Sequence, residues 1–556
     1  MPTPEAVLIG KFNGPSRPAR EPAVFDGRPL ITAKRQRVGP KKVVFRGTLL
    51  LSSLPGEVFF RMQNPAHPKP YWAFDFGAES GRAVLAHLQS GILTTEEVHR
   101  FPNEPVEYGG SLHWDVARLW FEVRKALACV EQRELAGIGV DAWGVDYALL
   151  GECGELLQNP YHYRDRRTQG VMDEMFQKVP KEEIYRATGI QFMPINTLYQ
   201  LSAAQRDTPG ILAAAKKLVT IPDLFNYWLT GNAVCEFTNA TTTQLVDPVR
   251  RTWATDLMQK LGLRSDLPAP IIEPGTMIGT LLPGIMPNSR LQGTSVIAPA
   301  CHDTGSAVAA IAARDGTAFL SSGTWSLIGT ELDAPVLTPE ALKLNFTNEG
   351  GVQGTTRLLK NVMGLWILQG CRNCWSARGQ SSDYRELIEL ARREPAFAHL
   401  VDPDDESFLR AADMPAAIDH FCTKTHQPAP TTPGAYVRCV LESLALKYRL
   451  VLRSLEQLCG KRIEQIRVIG GGSKNRLLNQ FTADATGRRV LAGPAEATAL
   501  GNIAIQILAT GQASSLQEVR GIVDRSFPTE VFEPLDTDKW EHHTERFEHY
   551  CEMIYA

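Results

Sequence analysis

Two stretches of the sequence share one pattern of strand, tight turn and strand, and they lie about 240 residues apart. The first covers residues 71–86 and turns at residues 77–81. The second covers residues 318–328 and turns at residues 321–324. Both patterns predict a hairpin, because apolar strand residues flank a short run of glycine and small polar residues. A chain that repeats such a hairpin is predicted to contain two domains of related construction.

The residues around these hairpins alternate between strand and helix patterns. Residues 138–144 and 296–298 are predicted strands, and the second leads into Cys301-His302-Asp303-Thr304-Gly305 and a helix of small residues. This alternation indicates an α/β fold. We place the boundary between the two domains near residue 310.

A long helix and a glycine turn are predicted in the second half. Apolar residues recur at three- and four-residue steps from Val437 to Leu455, and Gly460 follows as a helix end. A strand at residues 466–469 then precedes three glycines, and a helix is expected from about Lys474. A glycine turn between a strand and a helix is a common anion or nucleotide site.

Composition excludes several classes of protein. The 556 residues are 44% hydrophobic and 21% charged, which excludes a wholly disordered chain, and no apolar run of about 18 residues predicts a membrane span. Ten cysteines and the absence of a signal segment predict the reducing cytoplasm. We expect no membrane or nucleic-acid partner, and a monomer or small homo-oligomer.

Residues 1–69 are predicted to form a basic, proline-rich and disordered extension. Residues 1–70 hold 12 Lys and Arg against 4 Asp and Glu, a balance of +8, and 11 of the 36 prolines. The remaining residues hold 46 against 57, a balance of −11, which argues against nucleic acid as the main partner. A targeting or nucleic-acid arm is the alternative interpretation of the extension, which we disfavour because charge runs are usually solvated.

The first hairpin has the residue types of a phosphate site. Asp75 ends its first strand and suits Mg²⁺, held through water, while Ser80 and Arg82 suit phosphate oxygens. Hairpins with Asp and Gly are common, so this segment alone is weak support. The second hairpin, with Ser321, Ser322 and Thr324, strengthens the interpretation, because two such turns could hold phosphates from both sides of a cleft.

Asp303 follows a predicted strand and begins a predicted helix, the position where α/β proteins place their sites. Its carboxylate could take a proton from a hydroxyl nucleophile. The alternative is that Asp303 only caps the helix. His302 is as well explained by a buried, hydrogen-bonded histidine as by a substrate contact.

Two other motifs are given no functional role. Residues 137–142 match the spacing G-x-G-x-x-A, but the glycines precede or lie inside the strand, so no helix N-terminus faces a pyrophosphate. Cys371 and Cys374 have zinc-type spacing without a second pair, so core packing is favoured. The sequence has no P-loop and no nucleophile elbow.

Taken together, the motifs resemble the FGGY carbohydrate kinases. The resemblance extends in order over about residues 71–545 and is carried by residues 75–82, 141–146, 163–167, 238–241, 302–304, 320–325 and 470–472. Further segments are more particular to the member of that family that acts on L-rhamnulose: residues 348–351, 359–366 and 492–497.

The resemblance implies two ribonuclease-H-like domains of the actin and hexokinase type, with the active site in the cleft between them. Residues 70–310 would bind sugar and phosphate, and residues 311–556 the nucleotide. It implies Asp303 as the catalytic base and a sugar site formed by Gly144, His302, Asp303 and Thr304. It implies an ATP site formed by Ala78, Glu79, Ser80, Gly81, Arg82, Thr324, Asn361, Gln369 and Gly471.

The implied reaction is transfer of the γ-phosphoryl group of ATP, with Mg²⁺, to the 1-hydroxyl of L-rhamnulose. Trp143 and Phe192 are candidates for the apolar floor of a 6-deoxy sugar site. Glu79 departs from the family, which more usually has a small residue there. Alternatives are a kinase for fuculose, xylulose or glycerol, or an actin-like ATPase or sugar sensor without transferase activity.

Overall fold

The computed structural model describes residues 68–555. Residues 1–67 of the predicted extension lie outside the described residues, and so do its short apolar runs at residues 43–45 and 58–60. The first strand begins at Tyr71, where the first hairpin is predicted to begin.

Residues 68–310 contain fourteen strands and nine α-helices. The strands are β1 Tyr71–Phe76, β2 Ser80–Gln89, β3 Ile92–Pro102, β4 Pro105–Tyr108, β5 Ser111–Trp114, β6 Gly137–Ala142, β7 Tyr147–Leu150, β8 Lys217–Thr220, β9 Cys235–Glu236, β10 Val246–Asp247, β11 Thr252–Trp253, β12 Ile271–Ile272, β13 Met277–Thr280 and β14 Ser295–Ile297. The helices are α1 Val116–Ala128, α2 Val171–Lys178, α3 Lys181–Thr188, α4 Thr197–Asp207, α5 Pro209–Ala214, α6 Ile221–Thr230, α7 Phe237–Thr242, α8 Thr255–Lys260 and α9 Asp303–Ala309.

Residues 311–555 contain seven strands and ten α-helices. The strands are β15 Thr317–Ser322, β16 Trp325–Leu332, β17 Thr347–Gly350, β18 Thr356–Met363, β19 Gln465–Ile469, β20 Arg489–Ala492 and β21 Glu530–Phe532. The helices are α10 Pro339–Lys343, α11 Trp366–Ala377, α12 Tyr384–Arg393, α13 Glu406–Leu409, α14 Met414–Lys424, α15 Pro433–Cys459, α16 Arg476–Thr486, α17 Ala497–Ala509, α18 Leu516–Ser526 and α19 Thr537–Tyr555.

Both halves are built on a sheet with the same inner strand order. In the described residues, the first sheet has the order β13-β14-β6-β1-β2-β3 and the second β17-β18-β16-β15-β19-β20-β21. In each, an antiparallel hairpin (β1–β2 or β15–β16) lies beside a strand parallel to its first member (β6 or β19). The prediction of two related α/β domains is therefore confirmed.

Strand β1 lies in the middle of the first sheet and is buried on both faces. Trp72, Phe74 and Phe76 pack into one hydrophobic cluster, and Tyr71 and Ala73 pack into another on the opposite face. This follows from the alternation of side chains along a strand. The second cluster also contains Phe319 and residues of helices α9 and α17, so it joins the two sheets.

The glycines of the G-x-G-x-x-A stretch allow helix α17 to approach strand β6. A Cβ atom at Gly139 would lie 2.3 Å from Oδ1 of Asn502, which is too close for any side chain to fit without a shift. Asn502 instead donates to the carboxylate of Asp141, 2.6 Å away, and Gln506 donates to the carbonyl of Trp72. These glycines therefore serve packing between the two halves.

The predicted long helix is α15, and Gly460 follows it in the left-handed conformation, as expected. The helix predicted from about Lys474 begins later, at Arg476, because residues 471–474 form a 3-10 turn and Asn475 caps α16. Cys371 is buried and Cys374 half-buried on α11, and residues 68–555 contain no cluster of His, Cys, Asp and Glu that could hold a metal. In the same residues, no helix is long and apolar enough to cross a membrane.

Candidate active site

A cavity of about 420 Å³ lies where the two hairpin turns face each other. Both halves of the described chain line it. The residues of the predicted site that line this cavity are Asp75, Ala78, Arg82, Gly144, His302, Asp303, Thr304, Thr324, Asn361 and Gly471. The sequence therefore identified residues that the fold brings together from positions up to about 400 apart in the chain.

Four predicted nucleotide residues do not line the cavity: Glu79, Ser80, Gly81 and Gln369. Gly81 lies inside strand β2, where a Cβ would come within 2.2 Å of the Phe101 ring, so packing explains the glycine. Gln369 lies on α11 and bonds to Asn373 on the same helix at 2.9 Å. Their roles in ATP binding remain predictions.

The two hairpin turns are joined by side chains that cross the cleft. The hydroxyl of Thr324 donates to Oε1 of Glu79 over 2.9 Å. Arg82 donates to Asp75 at 2.8 Å and also forms an ion pair with Glu496, just before α17. Each of the two predicted phosphate ligands, Arg82 and Thr324, thus bonds to a carboxylate from the opposite half of the chain.

Glu496 was not identified from the sequence as a site residue. It lines the cavity beside Lys474, with 3.2 Å between its Oε1 and the ammonium nitrogen. Its segment was noted only for its resemblance to one family member. Nothing local in the sequence shows that residue 496 meets Arg82, because the contact depends on how the two halves pack.

Asp141 and Asp303 both have a raised pKa, to which the nearby charge of Asp75 contributes. Asp141 lies opposite Asp75 on the neighbouring parallel strand. Burial raises the pKa of Asp141 well above its ordinary value, and the charges of Asp75 and Asp303 add to the shift. Burial also raises the pKa of Asp303, opposed by His302 and reinforced by Asp75. The position of Asp141 at the carboxyl end of a parallel strand was a signal that could have identified it.

Asp303 begins helix α9 but is not its N-cap, which is His302. Oδ1 of Asp303 accepts from the backbone N–H of Thr304 at 2.5 Å and lies 3.4 Å from Nε2 of His302. Nδ1 of His302 lies 3.2 Å from an Arg357 nitrogen, which can only donate. Oε2 of Glu349 lies 3.1 Å from the same Nδ1, so a carboxylate lies beside each ring nitrogen of His302.

The backbone that carries Asp303 is held by a buried carboxylate on a neighbouring element. Oε2 of Glu236 accepts from the backbone N–H of Cys301 at 2.9 Å and from the hydroxyl of Thr238 at 2.6 Å. The same Thr238 hydroxyl accepts from the backbone N–H of His302 at 3.2 Å. Glu236 and Thr238 therefore fix the two residues before Asp303.

Trp143 forms part of the cavity wall, and the carboxylate of Asp146 holds its ring in place. Its Nε1–H donates to Asp146 at 3.0 Å, and the same carboxylate accepts from Trp114 and Gln200. Burial raises the pKa of Asp146 from its ordinary value of 3.8 to about 6, although these hydrogen bonds oppose the shift.

Phe192, the other candidate for the sugar floor, does not line the cavity. Its ring packs edge-on against Phe176, 5.2 Å between centroids, in a separate cluster. Its neighbours Gln191 and Met193 are the residues that line the cavity. Core packing, the alternative explanation for this aromatic residue, therefore describes Phe192.

Two family models match nearly the whole described chain. The N-terminal domain of the FGGY family of carbohydrate kinases matches residues 71–310, and the C-terminal domain of that family matches residues 318–510. The chain belongs to the FGGY family of carbohydrate kinases.

Curated relatives named rhamnulokinase align with most of this chain. The rhamnulokinase of Bacteroides thetaiotaomicron is 46% identical over 474 residues, which cover 85% of this chain and 97% of the relative. The rhamnulokinase of Bacillus subtilis is 39% identical over 472 residues, which cover 84% of this chain and 96% of the relative.

Solved structures of a xylulose kinase and a glycerol kinase have the same fold at low sequence identity. A ligand-bound xylulose kinase from Lactobacillus acidophilus superposes with a TM-score of 0.71 at 18% identity, covering 87% of this chain and 97% of that one. A Plasmodium falciparum glycerol kinase with ADP gives a TM-score of 0.69 at 18% identity, covering 88% and 98%. The prediction of a two-domain sugar kinase fold is confirmed.

Proposed function

We propose that this protein transfers the γ-phosphoryl group of ATP to the 1-hydroxyl of L-rhamnulose, giving L-rhamnulose 1-phosphate and ADP in rhamnose catabolism. The observation that carries the proposal is its 39–46% identity to curated rhamnulokinases, of which it covers 96–97% of the length. These relatives favour L-rhamnulose over fuculose, xylulose or glycerol and disfavour a sensor without transferase activity.

The phosphates of ATP are proposed to lie between the two hairpin turns. Arg82 and Thr324 both line the cavity, and each already bonds to a carboxylate oxygen. Phosphate oxygens would replace Glu496 and Glu79 as the acceptors of these donors. Gly471 and Asn361 line the same cavity and are proposed nucleotide contacts.

The sugar is proposed to bind against Gly144 and residues 302–304. Beside these residues the cavity has an apolar wall formed by Trp143, Val145 and Ile195. A wall of this kind suits the methyl group and the C–H face of a 6-deoxy sugar.

Asp303 is the proposed base that orients the 1-hydroxyl and accepts its proton. Its carboxylate lines the cavity, and burial makes it a better proton acceptor by raising its pKa. In phosphoryl transfer, positioning and charge neutralisation contribute more than proton removal. Arg82 and Thr324 are therefore proposed to carry much of the rate enhancement.

The residues near Asp75 fit a magnesium ion. Asp75 lines the cavity, and Oδ1 of the neighbouring buried Asp141 has no hydrogen-bond partner among the described residues. Mg²⁺ usually binds proteins through one or two carboxylates and completes its shell with water and phosphate, so no cage of protein ligands is needed. When bound, Mg²⁺ would neutralise charge on the phosphates. We propose that Asp75 holds it, through water.

The cytoplasm is the proposed location. All ten cysteines are free, including Cys422 and Cys439, which are both buried. Free cysteines are typical of a reducing compartment. We propose a monomer or small homo-oligomer with ATP and the sugar as its binding partners.

Replacing Asp303 by asparagine tests the proposed base. We expect sugar-dependent ADP release to fall by about 10²–10⁴ while ATP binding, measured by calorimetry, is retained. Asp115→Asn is the matched control, because Asp115 caps helix α1 and does not line the cavity. Near wild-type turnover in Asp303→Asn would show that Asp303 only begins a helix.

A further inference from the structure

Strand β17 brings two polar side chains from the C-terminal family domain to the cavity. Thr347 and Glu349 both line the cavity, and as residues two apart on a strand they share one face. Strand β17 is the outer strand of the second sheet, next to β18. Neither residue was identified from the sequence as part of the site.

Both side chains are buried, but only Thr347 is wholly without a polar partner in the described residues, because Glu349 is paired with Arg357. Thr347 has 0% of its surface exposed and Glu349 has 4%. The hydroxyl of Thr347 and Oε2 of Glu349 have no partner of normal geometry among the described residues. Buried polar atoms in folded proteins are nearly always paired, so the Thr347 hydroxyl needs a partner that the fold itself does not provide.

Glu349 is held as a charged acceptor. Burial disfavours its ionisation, but Arg357 and His302 outweigh that effect and lower the pKa of Glu349 below its ordinary value. Oε2 lies 3.2 Å from an Arg357 nitrogen and 3.1 Å from Nδ1 of His302.

The position of β17 does not depend on either side chain. Asn348, between them, donates to the carbonyl of Gly189 at 3.0 Å, and its Oδ1 accepts from the backbone N–H of Val336. The backbone N–H of Gly350 donates to Thr241 at 2.8 Å. Because these bonds anchor the strand, the fold gives no reason for a hydroxyl at residue 347, where a valine would pack equally well.

We propose that Thr347 and Glu349 form a hydroxyl-binding site for the sugar, with the carboxylate accepting from adjacent hydroxyl groups and Thr347 bonding a further oxygen. This inference rests on the proposed function, since it takes the acceptor sugar as the ligand. A polyol provides a partner for the unpaired Thr347 hydroxyl and further hydroxyl donors for the ionised Glu349. The sugar would then be held by both domains, with Asp303 and Gly144 on one side and β17 on the other, so that sugar binding favours closure of the cleft.

Thr347→Val gives the clearest test, because it removes a buried hydroxyl that bonds to nothing in the free protein. We expect an unchanged or slightly higher melting temperature and a KM for the sugar raised about 10-fold, with the KM for ATP unchanged. Thr347→Ser keeps the hydroxyl and should restore a KM near that of the wild type.

Glu349→Gln should likewise raise the KM for the sugar, by about 10-fold or more, because a charged acceptor is lost. Glu331→Gln is the matched control, since Glu331 is a buried glutamate of the same sheet that pairs with Arg520 at 2.7 Å and does not line the cavity. It should lower the melting temperature and leave the KM for the sugar unchanged. Should Glu349→Gln fail to fold, Glu349→Asp and Thr347→Val still decide the question.

These assays use whichever of L-rhamnulose, L-fuculose, D-xylulose and glycerol the wild type phosphorylates fastest. A wild type that prefers another sugar contradicts the proposed function and leaves the variants interpretable. An unchanged KM for the sugar in both Thr347→Val and Glu349→Gln overturns the inference. A lower kcat with unchanged KM in Glu349→Gln also overturns it for Glu349, because that result means Glu349 only positions His302.

Discussion

Replacing Thr238 by valine tests whether the backbone before Asp303 must be held in place for catalysis. The Thr238 hydroxyl donates to Glu236 at 2.6 Å and accepts from the backbone N–H of His302 at 3.2 Å. Valine has almost the same shape, so packing against Gly305 is retained. The change therefore leaves one buried N–H unpaired, immediately before the proposed base.

The expected cost in stability follows from that one unpaired group. A buried donor without a partner costs about 1–3 kcal/mol. At about 2.1 cal/mol/K per residue, roughly 490 folded residues have an unfolding entropy near 1 kcal/mol/K, so we expect the melting temperature to fall by about 1–3 °C. Because a small misplacement of a catalytic group can cost up to about 10²-fold in rate, we expect kcat to fall by about 10-fold or more.

Thr243→Val is the matched control, measured in the same coupled assay of ADP release. Thr243 lies just after the same short helix, its hydroxyl donates to Ala240, and it accepts from the backbone N–H of Leu245 at 3.2 Å. It does not line the cavity. Both variants should lose similar stability, but only Thr238→Val should lose turnover. Equal turnover in the two variants, whether normal or reduced, would refute the reasoning.

Three further outcomes are expected. Arg82→Ala and Thr324→Ala should each lower kcat/KM for ATP, by an amount equivalent to about 1–3 kcal/mol, without unfolding the protein. Unchanged ATP kinetics in both variants would contradict the phosphate site between the two hairpins. The pKa of Asp146 is raised from 3.8 to about 6, so the stability that this group contributes is complete below about pH 4 and is lost as the pH rises through about 6. Asp146→Asn should therefore be less stable than the wild type in thermal melts. The difference in free energy of unfolding between the two proteins should decrease by up to about 3 kcal/mol between pH 4 and pH 7. A difference that does not change with pH would contradict the raised pKa of Asp146. Deleting residues 1–61, so that the chain starts at Met62, should leave kinase activity and melting temperature unchanged, because the family match begins at residue 71. A lower melting temperature would show that the deleted segment contributes to the fold.

The fold and part of the cavity could be predicted because their signals are local. The two hairpins are visible as strand, turn and strand, and Asp75 and Asp303 stand at strand ends where α/β proteins place polar groups. Phe192 lies in an irregular segment between α3 and α4, so no strand or helix period could indicate that its ring packs in another cluster while its neighbours on either side line the cavity.

The rest of the cavity could not be predicted, because its residues meet only through the packing of distant elements. Glu496 reaches Arg82 from more than 400 positions away, and Thr347 and Glu349 reach the cavity from an outer strand of the other sheet. The packing role of Gly81 could not be predicted either, because it depends on the ring of Phe101 on the next strand. Glu349 and Glu496 lie in segments that resemble one family member, but only the arrangement of the two sheets makes them neighbours of the other cavity residues.

The central claim is that this FGGY kinase phosphorylates L-rhamnulose. Its most direct test is a coupled assay of ADP release with L-rhamnulose, L-fuculose, D-xylulose and glycerol, each at several concentrations. We expect kcat/KM for L-rhamnulose to exceed that for each other substrate by about 10-fold or more, with little ADP release when sugar is absent. Equal or faster turnover of another substrate, or ADP release that does not depend on sugar, would contradict the account.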